Sequence, residues 1–177
     1  MSSRKARVTR RQRIFKGRIF DFFQEEVLYH GKRMVRDVIR HPGAAVIVPL
    51  IAPQTLLLVR QYRHAVGRRL LELPAGTLKA GERPDVCARR ELAEETDWWP
   101  KRLTRIGEFY AAPGYTDERL IVYLARDLRP QSAQQDEDED VRPVRISLSG
   151  ALAKIRSGAI CDAKTIAGIF LARRFVG

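Results

Sequence analysis

Cysteine is scarce in this 177-residue chain: Cys87 and Cys161 stand alone, in no close-spaced motif. That excludes a disulfide scaffold and suits free thiols in a reducing, cytoplasmic compartment. Long apolar runs are missing too. The longest, residues 43–53, falls far short of the ~20 residues a membrane span needs, so no membrane partner is expected. The N-terminus is basic but no apolar core follows it, so it does not read as a signal peptide. His30, His41 and His64 are scattered, which leaves no zinc-type cluster, and there is no Gly-x-Ser-x-Gly elbow for a serine hydrolase. No internal repeat is visible. With 45% hydrophobic and 31% charged residues, the composition is that of an ordinary globular domain. This length fits one domain that buries roughly 70% of its unfolded surface.

Acidic residues are absent from positions 1–20, which carry eight Lys or Arg and hence +8 of the net +12. The first thirteen residues are expected to form a flexible basic arm. A nucleic-acid or membrane-surface arm is the functional reading, but no aromatic interleaves the run before Phe15, so a solvated terminus fits better. Nucleic acid is accordingly not the expected partner. A second biased stretch, residues 131–140, ends in five consecutive acids, Asp136 to Asp140, and reads as a loop.

Strand-like runs at 19–29 and 33–39 flank the turn pair His30-Gly31. Residues 44–51 are continuously apolar and rich in β-branched side chains, as in a strand buried on both faces. Residues 55–62 supply an antiparallel partner, and 66–69 read as a loop. Pro84 opens a helix that ends near Thr96, since proline suits the first turn. Further strands are expected at 107–110, 120–125 and 144–146, and helices at 149–156 and 162–175. The mixture implies an α/β or α+β domain.

The chemistry concentrates in that first helix. Glu91, Glu94 and Glu95 are spaced i, i+3 and i+4, within an arc of roughly 100° on one face. Three carboxylates so placed repel one another. A hard divalent cation, which takes several oxygen ligands, would remove the repulsion. Arg90 lies i−4 to Glu94 and can hold its carboxylate. On the helix alone, a solvated acidic face fits equally well. A Walker A reading fails because Glu82-Arg83 stands where Lys-Ser/Thr is required.

The larger pattern decides. Gly76, Glu82, Arg90-Glu91-Leu92 and Glu94-Glu95 fill the first seven specified positions of G-x5-E-x7-R-E-U-x-E-E-x-G-U. By average composition, a chance match is on the order of one in a million. The chain thereby resembles the Nudix hydrolases. Asp97 replaces the family's last glycine, and Trp98 fills the final apolar position. Asp is among the few residues that tolerate the left-handed conformation expected there. Leu71-Glu72-Leu73-Pro74-Ala75-Gly76, the segment from Ala112 to Glu118, the acidic loop and Asp162-Ala163-Lys164-Thr165 are similar to the ADP-ribose pyrophosphatase branch.

The resemblance implies a Nudix fold: α+β, an α/β/α sandwich with a mixed central sheet, preceded by an N-terminal antiparallel strand region. It implies one domain over 14–177, with 14–40 serving a homodimer of exchanged strands. The implied metal ligands are Glu91, Glu94, Glu95 and the Ala75 carbonyl, supported by Glu82 and Arg90. Mg²⁺ is the implied ion, with Mn²⁺ able to substitute. Glu137 or Glu139 is implied as catalytic base, with Glu94 sharing the catalytic role. Arg63, Arg36, Phe20 and Gly114 are implied substrate contacts. The expected reaction is hydrolysis of ADP-ribose to AMP and ribose 5-phosphate. GDP-mannose or ADP-glucose is the alternative substrate. An RNA- or nucleotide-binding module using the basic arm is the alternative of another class.

Overall fold

The computed structural model describes residues 6–131 and 140–175. The chain divides into two compact units: one runs to Gly43 and includes Tyr110–Arg119, the other comprises Ala44–Phe109 and Leu120 onward.

In the first unit, β1 (Arg7–Lys16), β2 (Asp21–Tyr29) and β3 (Lys32–Arg40) form an antiparallel sheet in that order. The expected turn sits between β2 and β3, where His30 and Gly31 both have positive φ, 50° and 75°. The flexible arm expected over 1–13 is corrected: from Arg7 onward the basic segment is strand. Its arginines face acids on β2. Arg11 meets Glu25 at 2.7 Å, Arg13 meets Asp21 at 3.4 Å and Arg10 meets Glu26 at 3.5 Å. Opposite charges across strands each stabilise by a few tenths of a kcal/mol to about 1 kcal/mol. The segment 110–119 joins β3 through Ile39 N–H to the Tyr115 carbonyl, 2.8 Å. Asp117 accepts from Arg40 and from the His41 N–H, both at 2.9 Å.

In the second unit, β4 (Ala44–Ala52) and β5 (Thr55–Arg63) lie at the centre of a mixed sheet. The order is β10 (Val141–Ser147), β5, β4, β9 (Arg119–Pro130), β8 (Trp98–Tyr110). Two short strands, β6 (Arg68–Glu72) and β7 (Ala75–Thr77), pair with β5 and β4. The β4–β9 pair is parallel and the other registered pairs are antiparallel. The continuous apolar run of β4 is explained by burial on both faces. Ala44, Val46 and Val48 join one core with Leu120, Val122 and Leu124. Ala45 and Ile47 join another with Ile121, Tyr123 and Ala125. The first core is closed by α2 (Leu148–Arg156) and α3 (Ala163–Ala172), and the second by Cys87, Ala88 and Leu92 of α1 (Pro84–Thr96). Helices on both sheet faces make the expected α/β/α sandwich.

The strand expected at 107–110 begins at Trp98, and β6 occupies much of the expected 66–69 loop. Edge pairing with β5 recruits Arg68 and Arg69 despite their charge, because a strand with one exposed flank tolerates it. No helix of the described residues is long and apolar enough to cross a membrane.

Candidate active site

Helix α1 begins and ends where the sequence places it. Pro84 opens it, and Asp97 closes it at φ 59°, ψ 30°, its N–H donating to the Ala93 carbonyl at 2.9 Å. The residue replacing the motif's glycine therefore holds the left-handed cap itself. Leu92 and Cys87, fully buried, seat the helix on the sheet.

Glu91, Glu94 and Glu95 lie on the arc beside Cys87 and Leu92, and Glu82 just precedes the helix. Arg90 gathers three of them. Its Nε and Nη2 grip Glu82 at 2.9 and 3.0 Å, and its Nη1 reaches Glu91 at 2.6 Å and Glu94 at 2.9 Å. These bonds hold the Glu82 carboxyl at a pKa of about 2, well under its ordinary 4.5, and raise that of the arginine. Glu95, one turn from Glu91, is 3% exposed. Among the described residues, no three His, Cys, Asp or Glu side chains are grouped as ligands of one ion; Glu82, Glu91 and Glu94 turn onto the guanidinium.

Gly76 explains why the motif starts with glycine. A Cβ there would lie 1.8 Å from Glu91 Cδ and 1.9 Å from its Oε1. Only a bare backbone lets the carboxylate settle beside the strand that carries Ala75. This cradle and a set of oxygen donors from Glu91, Glu94, Glu95 and Glu82 fit a hard divalent ion. Cys87 lies beneath the cradle, its thiol donating to the Gly76 carbonyl at 3.5 Å. Burial pushes that thiol up to about 12, so it packs and does not act as a nucleophile.

Arg63, an expected substrate contact, belongs to a second charged centre in which Glu72 and Lys164 had no expected role. Glu72 is fully buried, and Arg63 grips it through Nε at 2.9 Å and Nη2 at 2.8 Å. Lys164 donates to the same carboxylate and lies 3.0 Å from Asp162. Burial pushes the Glu72 carboxyl up, but the bonds from Arg63 and Lys164 overcome it and the net shift is downward. The bond to Glu72 likewise raises the pKa of Arg63, and the Glu95 charge adds to it. Arg63 remains 38% exposed, so a ligand can reach it. The available signal was a single carboxylate inside the apolar run Leu70-Leu71-Glu72-Leu73.

The second unit thus holds Arg63, Ala75, Glu82, Arg90, Glu91, Glu94 and Glu95. In the first unit, Arg36 and Gly114 line one cavity of about 400 Å³ with Val8, Val27 and Met34. Phe20 is 41% exposed and is not among the residues lining it. Glu137 and Glu139 lie outside the described residues.

Comparison with known proteins places this geometry in context. The NUDIX domain family matches residues 40–167. An ADP-ribose pyrophosphatase of Bacillus subtilis (strain 168) is 37% identical over 168 residues, covering 93% of this chain and 91% of its own. A GDP-mannose pyrophosphatase of Citrobacter koseri is 32% identical over 162 residues, 82% of this chain and 84% of its own. A solved structure titled an ADP compounds hydrolase superposes with a TM-score of 0.87 at 25% identity, covering 99% of this chain and 96% of that one.

Proposed function

Because the chain belongs to the NUDIX domain family, we propose that it is a pyrophosphatase that splits the diphosphate of ADP-ribose into AMP and ribose 5-phosphate. The observation that carries the reading is the seat of Glu91 on Gly76, beside an arginine that orients Glu82 and Glu94.

A diphosphate resists water because its negative charge repels nucleophiles, so catalysis rests on positioning and neutralisation. Glu91, Glu94, Glu95 and the Ala75 carbonyl are the proposed holders of a divalent ion. Mg²⁺ is the proposed ion, with Mn²⁺ able to replace it. When bound, it supplies neutralisation of the diphosphate and a more acidic attacking water. Arg63 is the proposed diphosphate contact, and by resemblance Arg36, Gly114 and Phe20 are proposed as further substrate contacts. Arg90 and Glu82 keep the helix carboxylates in place. Glu137 or Glu139 takes the proton of the attacking water, whose oxygen joins one phosphorus as the bridging P–O bond breaks.

GDP-mannose is the second reading, favoured by the likeness to the Citrobacter koseri enzyme. ADP-glucose has no separate support. The basic N-terminal strand gives little to a nucleic-acid reading, since Arg10, Arg11 and Arg13 are already ion-paired to β2. Exposed Ile14, Phe15, Ile19 and Val35, each half or more exposed, favour a homodimer formed through residues 14–40. Light scattering at micromolar concentration that gives a monomer mass contradicts it.

The test is hydrolysis of ADP-ribose, ADP-glucose, GDP-mannose, a dinucleotide and capped RNA, with Mg²⁺ and with EDTA. AMP release chiefly from ADP-ribose and only with metal is the expected result. Preference for another sugar nucleotide overturns the substrate, and no activity on any overturns the hydrolase reading.

A further inference from the structure

We propose that Lys164, at the start of α3, is a positioning residue that acts through Glu72 to hold Arg63 ready for a diphosphate. The inference rests on the reading of Arg63 as a diphosphate contact.

A carboxylate as buried as Glu72 is costly unless it is paired, and here two cations pair it. Arg63 takes the fork-to-fork grip, which fixes the plane of its guanidinium. Lys164 reaches Oε2, the oxygen that also takes Arg63 Nη2. The carboxylate's charge is therefore divided. Arg63 thus shares its carboxylate with a second cation and stays partly exposed, as a group that must meet an anion requires.

Lys164 is itself fixed by the first turn of α3. Asp162 Oδ2 accepts from Lys164 at 3.0 Å, from the Thr165 N–H at 2.9 Å and from the Thr165 hydroxyl at 2.6 Å. The Thr165 hydroxyl oxygen in turn accepts from the Leu73 N–H at 2.8 Å. Leu73 directly follows Glu72, so one helix turn is fastened to the end of β6 and to the first residue of the link to β7. Lys164 is 15% exposed, and Arg63 is more open at 38%. This is the arrangement of a support behind a contact group.

The test is binding of inorganic pyrophosphate with metal chelated, measured by calorimetry on the full chain. Lys164→Met is expected to weaken it about tenfold, and Lys164→Arg to restore most of the loss. Arg63→Lys is expected to weaken it as much or more, and the double variant with Lys164→Met no further. Lys164→Gln replaces Lys164→Met if the latter lowers Tm by more than a few degrees. Unchanged affinity in Lys164→Met, losses that multiply in the double variant, or no pyrophosphate binding by the parent chain each overturn the proposal. A parent chain that binds pyrophosphate but hydrolyses no sugar nucleotide overturns the proposed function instead. The two failures are thereby distinguishable.

Discussion

The acidic cluster at α1 and the centre around Glu72 share their charges in opposite ways. Around Arg90, one cation is shared by Glu82, Glu91 and Glu94. Around Glu72, one carboxylate is shared by Arg63 and Lys164. The first has acid to spare, whereas in the second Arg63 and Lys164 are matched by Glu72 and Asp162. A site for a diphosphate and a divalent ion needs carboxylates for the ion and an accessible cation, here the partly exposed Arg63, for the phosphates. The centres also differ in how they are held. Glu91 and Glu94 ride on a helix and share one guanidinium with Glu82, whereas the cations are fixed by a carboxylate sealed in the core.

Breaking the acidic surplus at its most buried member should have the largest effect. Glu95→Gln keeps the shape and removes the charge. If a bound ion contributes about 4 kcal/mol to the transition state, kcat falls about 1,000-fold while circular dichroism is unchanged. Near-parental turnover in steady-state assays removes Glu95 from the metal site.

Removing the shared cation tests the other half of the same cluster. Arg90→Met leaves Glu82, Glu91 and Glu94 facing one another, and a stability loss of about 3 kcal/mol is expected in urea melts. A divalent ion should recover part of that loss, since it replaces the missing positive charge. Recovery that is equal in chloride salts of Na⁺ and Mg²⁺ would show screening only.

Acid should separate the parts by a smaller margin. The folded pKa of Glu82, about 2, lies below its ordinary 4.5. Its stabilising contribution is complete above about pH 4.5 and is lost as pH falls toward 2. Glu82→Gln is expected to lower stability near neutrality, where that contribution is complete, and to flatten the stability profile between about pH 4.5 and 2. A profile that keeps its slope assigns the acid loss to other groups, of which Glu72, also shifted down, is the first to examine.

The smallest effect is expected at Asp97. Asp97→Gly relieves a left-handed aspartate and should raise stability by about 0.5–1 kcal/mol without altering kcat. Destabilisation would mean that the aspartate side chain contributes something besides the turn.

The same contrast explains what was legible in the sequence. The acids on α1 are local: their spacing, Pro84 and Asp97 lie within one segment, so helix, face and cap could all be read along the chain. The Glu72 centre joins residues 63, 72 and 164, brought together by β5–β6 pairing and by α3 docking. No short window contains it. Arg63 was nevertheless singled out by resemblance, while Glu72 and Lys164, which hold it, stood in resembling segments with no role assigned. The strand β1 was missed for a related reason. All ten of its residues are exposed, so no buried alternation marks it, and its arginines find their partners only on β2 once the register is known. Gly76 was legible as a motif position, but its reason, the Glu91 carboxylate against its backbone, is a contact between β7 and α1.

The most direct test of the division into two charged centres is calorimetric titration of Mg²⁺ and Mn²⁺ into the parent chain and Glu95→Gln, each with and without AMP. Saturable divalent binding by the parent that is lost in Glu95→Gln, with AMP binding retained, is the predicted result. Equal ion binding by both proteins, or none by either, would contradict the account.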